Sequence, residues 1–144
     1  MPEEQLVTFS LGAEEFGVDI MQVQEIIRIP PITRVPNTMP YLEGVINLRG
    51  NIIPVLSLRI RFGMPHVEKS DLNRIIVFQV QNKVLGIQVD AVTEVMYMSE
   101  DSIEPPPSIS TGSLESKYIR GAAKIGERLI VLLELDQIMS ENVL

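Results

Sequence analysis

Alternation with a period of two dominates the chain. Along Leu6–Leu11, Val7, Phe9 and Leu11 fall on one side and Thr8 and Ser10 on the other, the pattern of a half-buried strand. Gly12-Ala13-Glu14-Glu15 reads as a turn, after which Phe16-Gly17-Val18-Asp19-Ile20 alternates again. Val23-Gln24-Glu25-Ile26-Ile27 is apolar and β-branched, and Pro30, Pro31 and Pro36 end any regular element behind it. Pro40-Tyr41-Leu42-Glu43-Gly44 predicts one short helical turn with Gly44 as its stop. Val45–Leu48 and Ile52–Leu58, joined through Arg49-Gly50-Asn51, predict a hairpin whose Gly-Asn pair supplies the positive φ of a tight turn. Pro54 cannot donate to a ladder, so its nitrogen is expected at an edge or bulge.

The pattern then repeats. Val7–Leu11 matches Ile76–Val80, Phe16–Ile20 matches Leu85–Val89, and Val23–Ile26 matches Val92–Val95, all 69 positions apart. Tyr41–Gly44 matches Tyr118–Gly121, and Ile52–Leu58 matches Leu129–Leu135, at a spacing of 77. The change of spacing falls in Ser99–Lys117, a stretch rich in Pro, Ser and Thr, where added length is tolerated cheaply. Each half therefore offers about five short strands, and an open sheet of that size would leave an apolar face wet, so each should curl into a small barrel. The expected fold is all-β: two small five-stranded barrels from an internal duplication, with short helical turns. They form one domain spanning 1–144, with 1–66 and 67–144 as barrel subdomains, an approximate boundary near Gly63–Asp71 and room for strand exchange. Neither half has a large core, so the two should pack together. A short helix over Asp136–Glu141, capped by Asp136, should close the chain.

Composition narrows the chemistry. Of 144 residues 45% are hydrophobic and 22% charged, as in ordinary globular domains. A net charge of −7 and a pI near 4.7 argue against nucleic acid and anionic membrane surfaces as partners. The longest uncharged run, Pro105–Leu114, is too short and too Pro-rich to span a bilayer. The acidic Met-Pro-Glu-Glu start is unlike a signal peptide, so a cytoplasmic protein is expected. Absence of Cys excludes disulfides, thiolate nucleophiles and zinc–thiolate sites. The lone histidine, His66, reads as a solvated loop residue, and the pairs Glu3-Glu4, Glu14-Glu15 and Glu100-Asp101 as solvated turn residues. No Walker loop, GxGxxG, GxSxG or HExxH occurs, so the sequence offers no recognisable machinery for an enzyme without excluding one.

A few residues stand out from the repeat. Arg49 lies in a turn whose second-half counterpart, Lys124-Ile125-Gly126-Glu127, has no arginine, which points to a task local to one half. The alternative is an exposed ion pair worth under about 1 kcal/mol. Glu25 and Glu94 occupy matched places and are either outward carboxylates or the polar rim of a docking strand. Val23 and Glu25, two apart, should share a sheet face. Gly17 and Gly86 mark a bulge or barrel corner in both halves. Ile109 is a lone apolar residue in Pro105–Ser113, either an ordinary exposed side chain or an anchor for a partner's pocket. Met21, Met39, Met64, Met96, Met98 and Met139 read as core filling.

The runs Val7–Gly12, Phe16–Ile20, Val23–Ile26 and Gly44–Val55, the last reading Gly-Val-Ile-Asn-Leu-Arg-Gly-Asn-Ile-Ile-Pro-Val, resemble the CheW family of bacterial chemotaxis coupling proteins. The resemblance extends from about Gln5 to Met139. It implies two intertwined five-stranded SH3-like barrels and a non-catalytic adaptor without cofactors, monomeric on its own. Such an adaptor ties the cytoplasmic tips of methyl-accepting chemoreceptors to the histidine kinase CheA, whose regulatory domain shares the fold, in arrays recruited to the membrane. By position, Ile20, Val23 and Glu25 match the first-barrel surface that meets the kinase, and Ile109 a second-barrel kinase contact. Arg49, Ile75, Val92 and Val95 match positions of receptor coupling near the groove between barrels, with direct contact and control of inter-barrel geometry both open for Arg49. Two other classes compete. An enzyme would need convergent Glu, Asp and His in a cleft, and a double-barrel nucleic-acid module would need a basic, aromatic face in a chain only 5% aromatic. A generic protein-binding module of the same shape is the remaining alternative.

Overall fold

A computed structural model describes residues 3–36, 40–65, 67–105 and 118–138. The first half contributes β1 (Glu3–Leu11), β2 (Glu14–Asp19), a single 3-10 turn (Ile20–Gln22), β3 (Val23–Arg28), β4 (Leu42–Leu48), β5 (Asn51–Ser57) and the short helix α1 (Leu58–Arg61). The second contributes β6 (Arg74–Val80), β7 (Lys83–Val89), β8 (Ala91–Ser99), β9 (Ile103–Glu104), β10 (Ile119–Ile125), β11 (Arg128–Leu133) and α2 (Leu135–Ile138).

Two sheets form, in the orders β8-β1-β2-β11-β10-β9 and β3-β6-β7-β5-β4. Each closes through one bent segment. β8 leaves β1, and the chain returns as β9 opposite Ala122 and Ala123 of β10. In the other sheet Thr33, just beyond β3, bridges Val45 of β4. Each sheet is thus a small barrel of five strands, one of them bent. Sheet membership does not follow the division into 1–66 and 67–144. The β1–β2 hairpin sits among second-half strands, and the β6–β7 hairpin among first-half strands. Parallel pairings seal the exchange: Leu132 lies opposite Gly17, and Val55 opposite Gly86. The repeat is also one of register, since Val23 faces Phe78 just as Val92 faces Phe9.

Exchange explains why the alternation of β1 hides two buried faces. Val7, Phe9 and Leu11 enter a large apolar cluster shared by both barrels, with Phe16, Phe62, Phe78, Tyr118 and Ile138. Leu6 enters a second cluster with Ala123, Ile130 and Leu132, and its counterpart Ile75 a third with Ile46, Ile53, Val55 and Val77. Thr8 is fully buried, contrary to the half-buried reading, because that side of β1 faces a barrel interior. Its hydroxyl is satisfied by the Thr93 hydroxyl and by the Glu94 carbonyl, to which it donates at 3.1 Å.

Close approach, more than bulging, accounts for the strand glycines. A Cβ on Gly86 would lie 2.7 Å from Ile75 Cγ2, and one on Gly17 3.0 Å from Leu132 Cδ2. Tyr41–Gly44 is not a helical turn: Leu42 begins β4, and a Cβ on Gly44 (φ 151°) would overlap the Thr33 carbonyl oxygen where the barrel closes. Pro54 sits opposite Val45, one residue before the parallel pairing of β5 with β7 begins at Val55. α2 starts at Leu135, so Asp136 lies within its first turn instead of capping it.

Polar links tie the halves at several points, among them Arg120 with Glu4, Arg128 with Glu15, and two around α1. Asp90, between β7 and β8, accepts a bidentate pair from Arg59 of α1 (2.9 and 2.6 Å) and the Gly12 amide (2.7 Å). The Arg59 guanidinium holds the Asp90 carboxyl below its ordinary pKa against the opposing cost of burial. The Arg61 guanidinium lies 4.6 Å from the Tyr41 ring centroid and 4.9 Å from that of Tyr118, two tyrosines at matched positions of the repeat.

Candidate functional site

The β4–β5 hairpin has a two-residue loop, Arg49-Gly50, flanked by the Leu48–Asn51 pair. Both loop residues have positive φ, 51° and 88°, as a type I′ turn requires, and Asn51 already belongs to β5. The turn is fixed by the Gly50 amide, which donates to Asn47 Oδ1 at 2.8 Å. An arginine in the left-handed region costs roughly 1 kcal/mol. The second half places Gly126 (φ 61°) at the same point, so the turn itself has no use for the arginine.

The Arg49 side chain is 70% exposed, and its Nη2 lies 2.9 Å from Glu25 Oε1, itself 29% exposed. A turn residue and a β3 residue are thereby joined, two positions that the resemblance assigns to different partners. Val23 and Glu25 do not share a face. The β3–β6 register slips between them, so that Val23 lies opposite Phe78 and Glu25 opposite Val77, neighbours that point to opposite sides of β6. Val23 accordingly packs, half-buried, on the shared core, while Glu25 sits on the side of the barrel interior and reaches Arg49 at the rim.

Ile20 lies in the 3-10 turn, half-buried against the shared core. The Asp19 carboxylate caps that turn by accepting from the Met21 amide at 2.9 Å. Met21 is 86% exposed, so it is not core filling, and it stands between Ile20 and Val23 as the most prominent apolar side chain of this surface. The sequence signal for it was the break in alternation after Ile20, where Met21 makes a second apolar residue in succession.

Ile75 has no accessible surface. It faces Ile27 across the sheet inside the barrel built of β3, β6, β7, β5 and β4, and so cannot itself touch a partner. Val92 is half-buried against the shared core, and Val95, opposite Val7, is 48% exposed. Tyr97, on the same face as Val95 and 68% exposed, extends this apolar strip along β8, the terminal strand of its sheet. Periodicity did not single it out, because an aromatic on an alternating strand reads as core. Glu94 pairs at 2.7 Å with Arg128, which also grips Glu15, and the two carboxylates, Glu15 foremost, push the Arg128 pKa further up. Ile109 and His66 lie outside the described residues. Among the described residues no three His, Cys, Asp or Glu side chains converge to hold a metal ion, and no helix is long and apolar enough to cross a membrane.

Strand-exchanged twin barrels, with candidate residues on rims, turns and a terminal strand, define a double-barrel β domain. Residues 5–143 match the CheW-like domain family. The chain is 40% identical over 140 residues to a probable chemotaxis protein CheW of Rhizobium etli, covering 97% of this chain and 90% of that protein. It is 35% identical over 139 residues to the chemotaxis protein CheW of Klebsiella aerogenes, covering 96% and 83%. Among solved structures, the scaffolding protein TtCheW of Thermoanaerobacter tengcongensis superposes with a TM-score of 0.86 at 39% identity, covering 94% of this chain and 86% of that one. The chain belongs to the CheW family.

Proposed function

We infer that the protein is a non-catalytic chemotaxis scaffold that couples methyl-accepting chemoreceptors to the histidine kinase CheA, working in the cytoplasm at membrane receptor arrays. Family membership supports the scaffold role. The observation that carries the finer reading is the Arg49–Glu25 ion pair at 2.9 Å. It joins one residue of the receptor-coupling set to one of the kinase-facing set, so an event at one is felt as a change of charge at the other. Ile20 and Met21 at the 3-10 turn and Glu25 at the rim form the kinase-facing surface, which Val23 supports from the shared core. Arg49, Val92 and Val95 form the receptor-facing one, Ile75 shapes that side from within the barrel, and Ile109 makes the second kinase contact. Small apolar patches of this kind bind weakly one at a time, and an array strengthens them by effective concentration.

Reconstituted arrays of receptor cytoplasmic fragment, kinase and this protein provide the test. Arg49→Glu and Glu25→Arg should each lower receptor-dependent kinase activity, and the charge-swapped double variant should regain a large part of it. Full activity in both single variants would overturn the coupling role of the pair.

A further inference from the structure

A second site lies where none of these residues reaches. An open cavity of about 680 Å³ is formed by the end of β3, the extended segment that follows it and the loop leading into β6. That volume falls in the range of ligand sites, about 300–1,000 Å³, with room for a few side chains and not for a folded domain. One wall is cationic in a chain of net charge −7: Arg28, Lys69 and Arg74, against a single carboxylate, Asp71. Arg28 and Arg74 are direct cross-strand partners, an arrangement that destabilises a sheet unless an anion lies between the charges. Among the described residues none of the three cations is ion-paired with a carboxylate.

This wall is pre-formed. Arg74 Nη1 donates to the Asp71 and Asn73 carbonyls, both at 2.7 Å, which fixes the guanidinium and leaves its remaining donors available. The loop is held by the Ser70 amide on Asn73 Oδ1 (2.9 Å) and by Asn73 Nδ2 on the Asp90 carbonyl (3.0 Å). A positioned guanidinium forfeits less entropy on binding and takes a carboxylate in bidentate fashion. The facing wall is apolar: Ile29, Pro30, Pro31 and Ile32. Its two prolines lack N–H groups, so a ligand there is gripped by side chains and not added as a strand.

We propose that this cavity docks an acidic peptide segment of a partner protein, two carboxylates bridging Arg28, Arg74 and Lys69 while a neighbouring aliphatic side chain lies on the proline wall. The acidic remainder of the surface repels such a segment and so directs it here.

The test is fluorescence anisotropy of the full chain with a labelled peptide of alternating glutamate and leucine. Binding should weaken with ionic strength, and by about tenfold in both Arg28→Ser and Lys69→Ser. Lys83→Ser, the same charge change at the start of β7, should leave it intact. Arg28→Ser should not lower the melting temperature, because it relieves the like-charge pair. The proposal is overturned by absence of binding, by an equal loss in Lys83→Ser, or by inorganic phosphate that binds as tightly and displaces the peptide, which would make this a small-anion site.

Discussion

Replacing Arg49 by glycine separates what the turn needs from what the protein needs. Three quantities set the expected change in stability. Relief of the left-handed conformation (φ 51°) favours the variant by roughly 1 kcal/mol. Loss of the ion pair to Glu25 opposes it by about 0.2–1 kcal/mol, at the low end because the arginine is 70% exposed. Glycine's greater freedom in the unfolded chain opposes it by about 0.4–1 kcal/mol. The sum lies within about 1 kcal/mol of zero, a shift in Tm of no more than about 2–4 °C for a chain of this size. Arg49→Ala keeps the strain and loses the pair, so it should be the less stable of the two. Both should lose receptor-dependent kinase activation to a similar degree. Calorimetry and the reconstituted kinase assay, run on the same preparations, check this. A loss of several kcal/mol in Arg49→Gly would refute the reasoning, since it would make the arginine a structural element of the hairpin.

Other outcomes follow from the same geometry. Val23→Asp should destabilise the fold by about 1–3 kcal/mol in chemical denaturation, because Val23 packs on the shared core, whereas Met21→Asp should leave stability unchanged and weaken kinase binding. Asp90→Asn should lower stability at neutral pH and flatten its acid dependence. The folded carboxyl titrates below its unfolded value, so its contribution is present above pH about 4 and is lost as pH falls through the folded pKa, which urea midpoints measured across that range would follow. Residues 1–70 expressed alone should show no cooperative melt by circular dichroism, because β1 and β2 find their outer partners, β8 and β11, only in the second half.

The duplication was legible because each repeat carries its own alternation, and Phe9/Phe78 and Gly17/Gly86 keep the same register in both halves. Hairpin exchange was not fixed by the pattern. Alternation records which side of a strand is apolar and is silent on which half supplies the neighbour. Thr8 misled for a related reason: a buried hydroxyl satisfied by Thr93 and Glu94 looks in sequence like one facing water. Arg49 could be singled out as a departure from the repeat, yet its contact with Glu25 depends on the bulge in β3, which has no signature in Val23-Gln24-Glu25-Ile26. Arg28 and Arg74 lie far apart in sequence, so their cross-strand pairing appears only once β3 and β6 are aligned.

Exchange of hairpins also sets a timetable for synthesis. A ribosome releases the chain from its N-terminus, and domains generally fold as units once their parts are available. The barrel containing Arg49 and Glu25 has all its strands once Val89 has emerged. The other barrel begins with the first strand made and waits for β11, ending at Leu133, before β2 gains its parallel neighbour. Until then the β1–β2 hairpin is a held place with an open edge. A transcript broken after β7 would therefore yield one finished barrel carrying a hairpin without its outer partners, a species marked for degradation or aggregation.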